Sequence, residues 1–127
     1  MSETRTEITG LFHAGLLVSD LAAARKFYES VLGLTRMVRP DLPYPGEWYA
    51  LNDYQQLHLM QLPNPDQASI RPPHGGRDRH IALGVTNIDS LRGRLEAANV
   101  AYTLSRSGRA ALFCRDPDGN TLEFIES

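Results

Sequence analysis

Cysteine is almost missing from this sequence. Among 127 residues Cys114 stands alone, so no intrachain disulfide forms and a reducing cytoplasm is the expected location. Lysine is equally scarce: Lys26 is the only one, and arginine supplies the other cations. With 13 basic against 15 acidic side chains the formal net charge is −2. There is no long basic run, so nucleic acid is not an expected partner. No apolar stretch approaches the length of a membrane span, and the opening MSETRTEITG lacks the apolar core of a signal peptide. A membrane is therefore not an expected partner either. What remains is 42% hydrophobic and 22% charged, the profile of a globular chain with enough residues for one domain with a real core. Cys114 lies in ALFCRDPDG, an apolar run entering a turn, where a small buried side chain is a better account than a nucleophile.

The chain says one thing twice. His13 opens the run HAGLLVSDLAAARKFYESVLGL, and His80, 67 residues later, opens HIALGVTNIDSLRGRLEAANV. At that shift Val18 falls on Val85, Asp20 on Asn87 and Leu21 on Ile88. Each half closes on a strand-like run with one polar residue among apolar ones: His58 in QLHLM, and Glu123, 65 residues later, in TLEFI.

Each half reads as βαβββ. In module one (about 9–62), Leu11–Val18 is a strand, Ser19 or Asp20 caps a helix, and Leu21, Ala24, Phe27, Tyr28, Val31 and Leu32 share one helical face. Gly33 is placed to end that helix. Strands follow at about Leu34–Val38, Trp48–Asn52 and Gln56–Leu62. Residues 63–77, rich in proline and glycine, form the linker. Module two (about 78–127) repeats the order: a strand His80–Val85, Asn87 as helix cap, and Ile88, Leu91, Leu95 and Ala98 on one helical face. Strands follow at about Tyr102–Ser105, Ala110–Arg115 and Thr121–Glu126, the last two joined by a DPDGN turn. One helix cannot cover both faces of such a sheet. The expected fold is therefore α+β, a single domain whose two modules form a cupped eight-strand half-barrel around a cleft, helices outside.

Strand alternation chooses what lines that cleft. Leu57, Leu59, Leu122 and Phe124 point toward the helices, whereas His58 and Glu123 point inward. A glutamate amid apolar strand residues is costly unless it is paired, hydrogen-bonded or metal-bound. Three imidazoles and a carboxylate at equivalent strands (His13, His58, His80 and Glu123) make a donor set for one divalent metal, with Zn, Ni, Co, Mn and Fe(II) all compatible. His74, in RPPHGGRD, reads as a solvated or lid residue. Arg71, Arg77, Arg79, Arg106 and Arg109 lie in loops flanking the cleft; most read as solvated, with one or two available to clamp an anionic substrate group. Tyr44, Trp48 and Tyr49 are candidates for an aromatic wall, although strand packing explains Trp48 and Tyr49 equally well.

These residues resemble the vicinal oxygen chelate superfamily, which includes glyoxalase I, extradiol ring-cleaving dioxygenases, and fosfomycin- and bleomycin-resistance proteins. The resemblance runs from about Leu11 to Glu126. Its most specific pieces are HAGLLVSDLAAARKFYESVLGL, like the family's first βα unit, and RDPDGNTLEFIE, like its closing signature. It implies a metal held at His13, His58, His80 and Glu123, with Glu123 doubling as the base that moves a proton between adjacent carbons. It also implies a small oxygenated substrate and a homodimer in which modules of different chains share sites. The preferred expectation is glyoxalase-type isomerase or lyase chemistry. A ring-cleaving Fe(II) dioxygenase using His13, His80 and Glu123, and a non-enzymatic drug-binding resistance protein, are the alternatives. Two positions depart from glyoxalase I: His58 stands where a glutamate is usual, and Leu17 where a glutathione-binding arginine is common in the bacterial enzymes.

Overall fold

Aspartate and asparagine side chains start both helices. Asp20 Oδ1 accepts from the amides of Ala22 (3.0 Å) and Ala23 (3.4 Å), and Asn87 Oδ1 accepts from Ser90 (2.9 Å), so each satisfies amides that the first helical turn leaves orphaned. These caps belong to two modules of the same order, seen in a computed structural model that describes residues 4–66 and 70–127. Module one runs β1 (His13–Val18), α1 (Leu21–Arg25), β2 (Thr35–Arg36), β3 (Gly46–Ala50) and β4 (Gln56–Gln61). Module two runs β5 (Ile81–Val85), α2 (Ile88–Ala97), β6 (Tyr102–Leu104), β7 (Ala111–Arg115) and β8 (Thr121–Glu126).

The strands make two separate four-stranded mixed sheets, ordered β1-β4-β3-β2 and β5-β8-β7-β6. The first strand of each module runs parallel to its last, His13 opposite Gln56 and Ile81 opposite Leu122, and the other pairings are antiparallel. The α+β architecture and the βαβββ order are as the sequence indicates. In both sheets the first strand is terminal, so β1 and β5 each keep one edge without a strand partner among the described residues.

Several boundaries move, each for a local reason. Leu11 and Phe12 lie outside β1 and are 74% and 72% exposed. The first helix does not stay α-helical. Over Lys26–Val31 it widens to a π-helix, the Leu32 amide bonding back to Phe27 (3.0 Å), and two consecutive aromatics, Phe27 and Tyr28, turn inward. Gly33, with φ +78°, then ends it, a conformation that disfavours any side chain. β3 stops two residues early because Asn52 Oδ1 accepts from the amides of Tyr54 and Gln55, closing a turn that pulls the chain off the sheet.

One apolar cluster joins the halves: Val18, Phe27, Tyr28, Tyr49, Leu57 and Leu59 of module one meet Leu91, Leu95, Leu112, Leu122 and Phe124 of module two. Cys114 is buried in it, and burial pushes its thiol up to about 12, which suits an inert packing residue. One polar contact crosses this interface buried. Tyr28 Oη donates to Asp116 Oδ2 at 2.7 Å. Asp116 also accepts from the Asn120 side chain and from the amides of Asp118 and Asn120, which organises the DPDGN turn. Burial nonetheless raises its carboxyl above the usual range. Tyr28→Phe removes the hydroxyl and leaves that carboxylate short of a donor. A loss of about 1–3 kcal/mol in unfolding free energy is expected by denaturant titration; an unchanged midpoint would show that the contact contributes nothing.

Candidate metal centre

Strand alternation carries the four expected ligands to the sheet faces opposite the helices. In β4, Leu57 and Leu59 are fully buried in the core, so His58 projects from the other face. In β8, Leu122 and Phe124 do the same for Glu123. Burial is deep at both: His58 is 8% exposed and Glu123 is 4%. His13, first residue of β1, and His80, immediately before β5, are more exposed.

The four residues meet in pairs. His13 stacks on His58 with ring centroids 4.0 Å apart, and Trp48, opposite His58 in the register, stacks on it at 3.9 Å and 1°. In the other sheet His80 Nε2 lies 3.2 Å from Glu123 Oε1. Among the described residues no group of three or more His, Cys, Asp or Glu side chains is close enough to hold a metal. Within one chain the four expected ligands therefore lie as two pairs, His13 with His58 and His80 with Glu123.

Each half-site has the chemistry of a donor pair. His80 Nδ1 is 2.8 Å from the Asp78 carbonyl. A carbonyl only accepts, so Nδ1 carries a proton and Nε2 is the ring nitrogen turned toward Glu123. At 3.2 Å the two groups are close enough to share a proton or a cation. A histidine whose second nitrogen is anchored on a carbonyl is the usual arrangement of a metal ligand. His58 Nε2 is 2.7 Å from Gln56 Oε1. Burial, followed by the nearby His13 and Arg39, pushes His58 down to about 4. It is thus neutral near pH 7, as ligation requires. The residues fit a divalent cation.

The Asp78 side chain steadies the segment that presents His80. Its Oδ2 accepts from Arg115 Nη1 (2.7 Å) and from Thr121 (3.1 Å), with Arg71 3.4 Å away. Burial opposes its charge, but the hydrogen bonds from Arg115 and Thr121 outweigh it and hold the carboxyl below its usual range. The sequence offers no sign of this anchor, because it depends on a backbone carbonyl and a contact across 37 residues.

Two sequence readings change. His74 is neither solvated nor a free lid. It is half-buried, Nδ1 bonded to Thr103 Oγ1 (2.8 Å) and its ring edge-on to Phe113 (5.1 Å). The reason is Gly75: a Cβ there would fall 2.7 Å from Thr121 Cγ2 and 2.9 Å from Phe113 Cβ, so only glycine lets the linker lie flat on the second sheet. Tyr49 is on the helix face, fully buried, bonding Glu29 through its hydroxyl (2.8 Å). Of the three candidates for an aromatic wall, Trp48 is the one stacked on an expected ligand, His58.

Among the described residues no helix is long and apolar enough to cross a membrane. Comparison with known proteins agrees with this architecture. The uncharacterized protein YaeR of Escherichia coli (strain K12) is 31% identical over 121 residues, covering 90% of this chain and 93% of YaeR. The lactoylglutathione lyase of Haemophilus influenzae is 29% identical over 126 residues, covering 92% of both chains. Among solved structures, lactoylglutathione lyase from Agrobacterium tumefaciens superposes with a TM-score of 0.67 at 25% identity, over 95% of this chain and 96% of that one. Residues 10–124, spanning both modules, match the family itself: this chain belongs to the glyoxalase/bleomycin resistance protein/dioxygenase superfamily.

Proposed function

We propose that this protein is a divalent-metal-dependent enzyme of the glyoxalase type, acting on a small molecule with two adjacent oxygens, and that the site is completed between two copies of the chain. The observation that carries this reading is the His80–Glu123 pair: a buried carboxylate 3.2 Å from an imidazole nitrogen whose ring is anchored through Nδ1 on a backbone carbonyl, two groups of ligand type aimed at each other. The superfamily and the relatedness to lactoylglutathione lyases support the reaction class. The open edges of β1 and β5, beside the two half-sites, support assembly with a second copy.

His13 and His58 would hold the metal from one module, His80 and Glu123 from the other. When bound, a divalent cation supplies Lewis acidity, stabilising negative charge on a substrate oxygen. The chain's own residues do the rest. Asp78 fixes the His80 tautomer through its carbonyl. Trp48 closes one side of His58 and gives a planar apolar surface against which substrate lies. Glu123 accepts a proton from one substrate carbon and returns it to the neighbour, its carboxylate shielded from bulk water by Phe113 opposite it in the register.

Trp48 also provides the test. It is the only tryptophan and stacks on a proposed ligand, so its emission reports ligation of His58. Titration with Zn(II), Ni(II) or Co(II) is expected to change that emission and saturate at one metal per chain. The loaded protein is expected to isomerise a hemithioacetal. Oxygen uptake with a catechol under Fe(II) would favour the ring-cleaving reaction instead. A metal-free binding protein is the reading favoured by the Trp48–His58–His13 stack alone. It predicts no metal uptake and quenching of Trp48 by planar ligands.

A further inference from the structure

We propose that the substrate is an anion, and that its charged group is received by two arginines, Arg109 beside Glu123 and Arg39 beside His58. This rests on the metal reading above and adds the substrate's charge to it.

The other candidate arginines described by a contact are already committed. Arg71 lies against Asp78 (3.4 Å) and Arg79 against Asp66 (3.0 Å). Arg109 is different. It sits on the β6–β7 connection, 59% exposed at its side chain, with Nη2 3.7 Å from Glu123 Oε2. Glu123 Oε1 faces His80 and Oε2 faces Arg109. A cation bound to the His80–Glu123 pair takes up the carboxylate's charge and repels the guanidinium. Arg109, on a solvent-facing hairpin, is then free to turn to a negative group of the substrate.

Arg39 makes the matching case on the other half-site. Trp48 and Gly46 lie two apart in β3 and share the His58 face, whereas Glu47 between them turns to Arg25 of α1 (2.8 Å). A Cβ on Gly46 would meet the Leu59 carbonyl oxygen at 2.3 Å, Arg39 Nη2 at 3.0 Å and Arg39 Nε at 3.1 Å, so the absence of a side chain there lets the guanidinium lie against β3 two residues from Trp48. Nη2 donates to the Tyr44 carbonyl (2.7 Å) and the Tyr44 ring lies 5.2 Å from the guanidinium carbon. Nε, like Arg71 Nε, is buried with no partner among the described residues, a donor held out of water with nothing to receive it; unlike Arg71, Arg39 has no carboxylate beside it among those residues. Neither arginine has a carboxylate partner other than Glu123 among the described residues. If the two pairs share one metal, each would bring one guanidinium with it.

Two probes with the same chelating oxygens separate charge from chelation. Dihydroxyacetone and dihydroxyacetone phosphate both offer an adjacent carbonyl and hydroxyl oxygen; only the phosphate carries an anionic group apart from that pair. With metal-loaded protein, Arg109→Gln and Arg39→Gln are each expected to weaken dihydroxyacetone phosphate binding about tenfold or more, leaving dihydroxyacetone within about twofold. Arg109→Lys keeps the charge and is expected to retain most of the dihydroxyacetone phosphate affinity. Arg109→Gln is also expected to tighten Zn(II) binding in the absence of any organic ligand, because it removes the cation competing for Glu123. Equal losses for both probes would mean that the arginines only support the fold of the site, and no loss for either would mean that they face solvent; both results overturn the proposal. Metal titration without probe keeps the two readings apart. Failure to take up metal sinks the metalloenzyme reading and this inference together, whereas normal uptake with unchanged dihydroxyacetone phosphate binding sinks the inference alone.

Discussion

A mixture of two inactive variants is expected to regain metal binding. His13→Ala/His58→Ala deletes the donors of module one; His80→Ala/Glu123→Ala deletes those of module two. Each variant alone keeps only one half-site and should lose tight Zn(II) uptake. If every site is built from module one of one copy and module two of the other, co-refolded variants form mixed dimers in which one of the two sites is intact. Random association then restores about a quarter of the wild-type capacity, because half of the dimers are mixed and each holds one complete site of two. The expectation follows from geometry. His13 stacks on His58 and His80 faces Glu123, yet no three of these groups converge among the described residues of one chain. No recovery on mixing would place all four ligands within a single copy, or would deny that they share a metal at all. Trp48 emission separates those cases, since a site within one chain still changes it in the wild type.

The sequence made the architecture legible because its signals are local. Asp20 and Asn87 precede apolar residues spaced for helices, and Leu57–His58–Leu59 and Leu122–Glu123–Phe124 alternate as half-buried strands must; the structure keeps all of these. The same alternation put His58 and Glu123 on the faces away from the core. Features that depend on distant contacts were not legible. The π-helical turn at Lys26–Val31 depends on how Phe27 and Tyr28 fit a core shared with module two. Periodicity places Tyr28 inward but says nothing of Asp116, 88 residues away. His74 looked free because its neighbours are prolines and glycines. Gly75 in fact allows close approach to Phe113 and Thr121, and a loop composition does not distinguish a flexible linker from one laid on a sheet. The pairing of the four expected ligands, two and two, is a property of how modules pack. A repeat announces equivalent positions without saying which copies face each other.

Glu123→Gln is expected to divide function from stability more sharply than any other single change. Glutamine has the same shape, so Leu122 and Phe124 keep their packing and Phe113 stays opposite position 123. The charge disappears from a site that is 4% exposed, removing a desolvation cost. The unloaded variant should therefore unfold no earlier than the wild type, and later if the cost of the buried carboxylate exceeds its attraction to Arg109 at 3.7 Å. Metal binding should weaken without vanishing, because three imidazoles and an amide oxygen remain. Turnover should fall by about 10²–10⁴-fold, the contribution of a positioned general base, with KM little changed since the adjacent-oxygen contacts survive. Parallel measurement of the melting temperature, Zn(II) affinity and hemithioacetal turnover checks all three. A variant that keeps full activity would remove Glu123 as the proton carrier and leave it a ligand only. A variant that loses its fold would show that the carboxylate is structural, its charge offset by His80 and Arg109 without any metal. The expected combination, an equal or more stable protein that has lost its chemistry, is the mark of a buried charge retained for function against its cost to the fold.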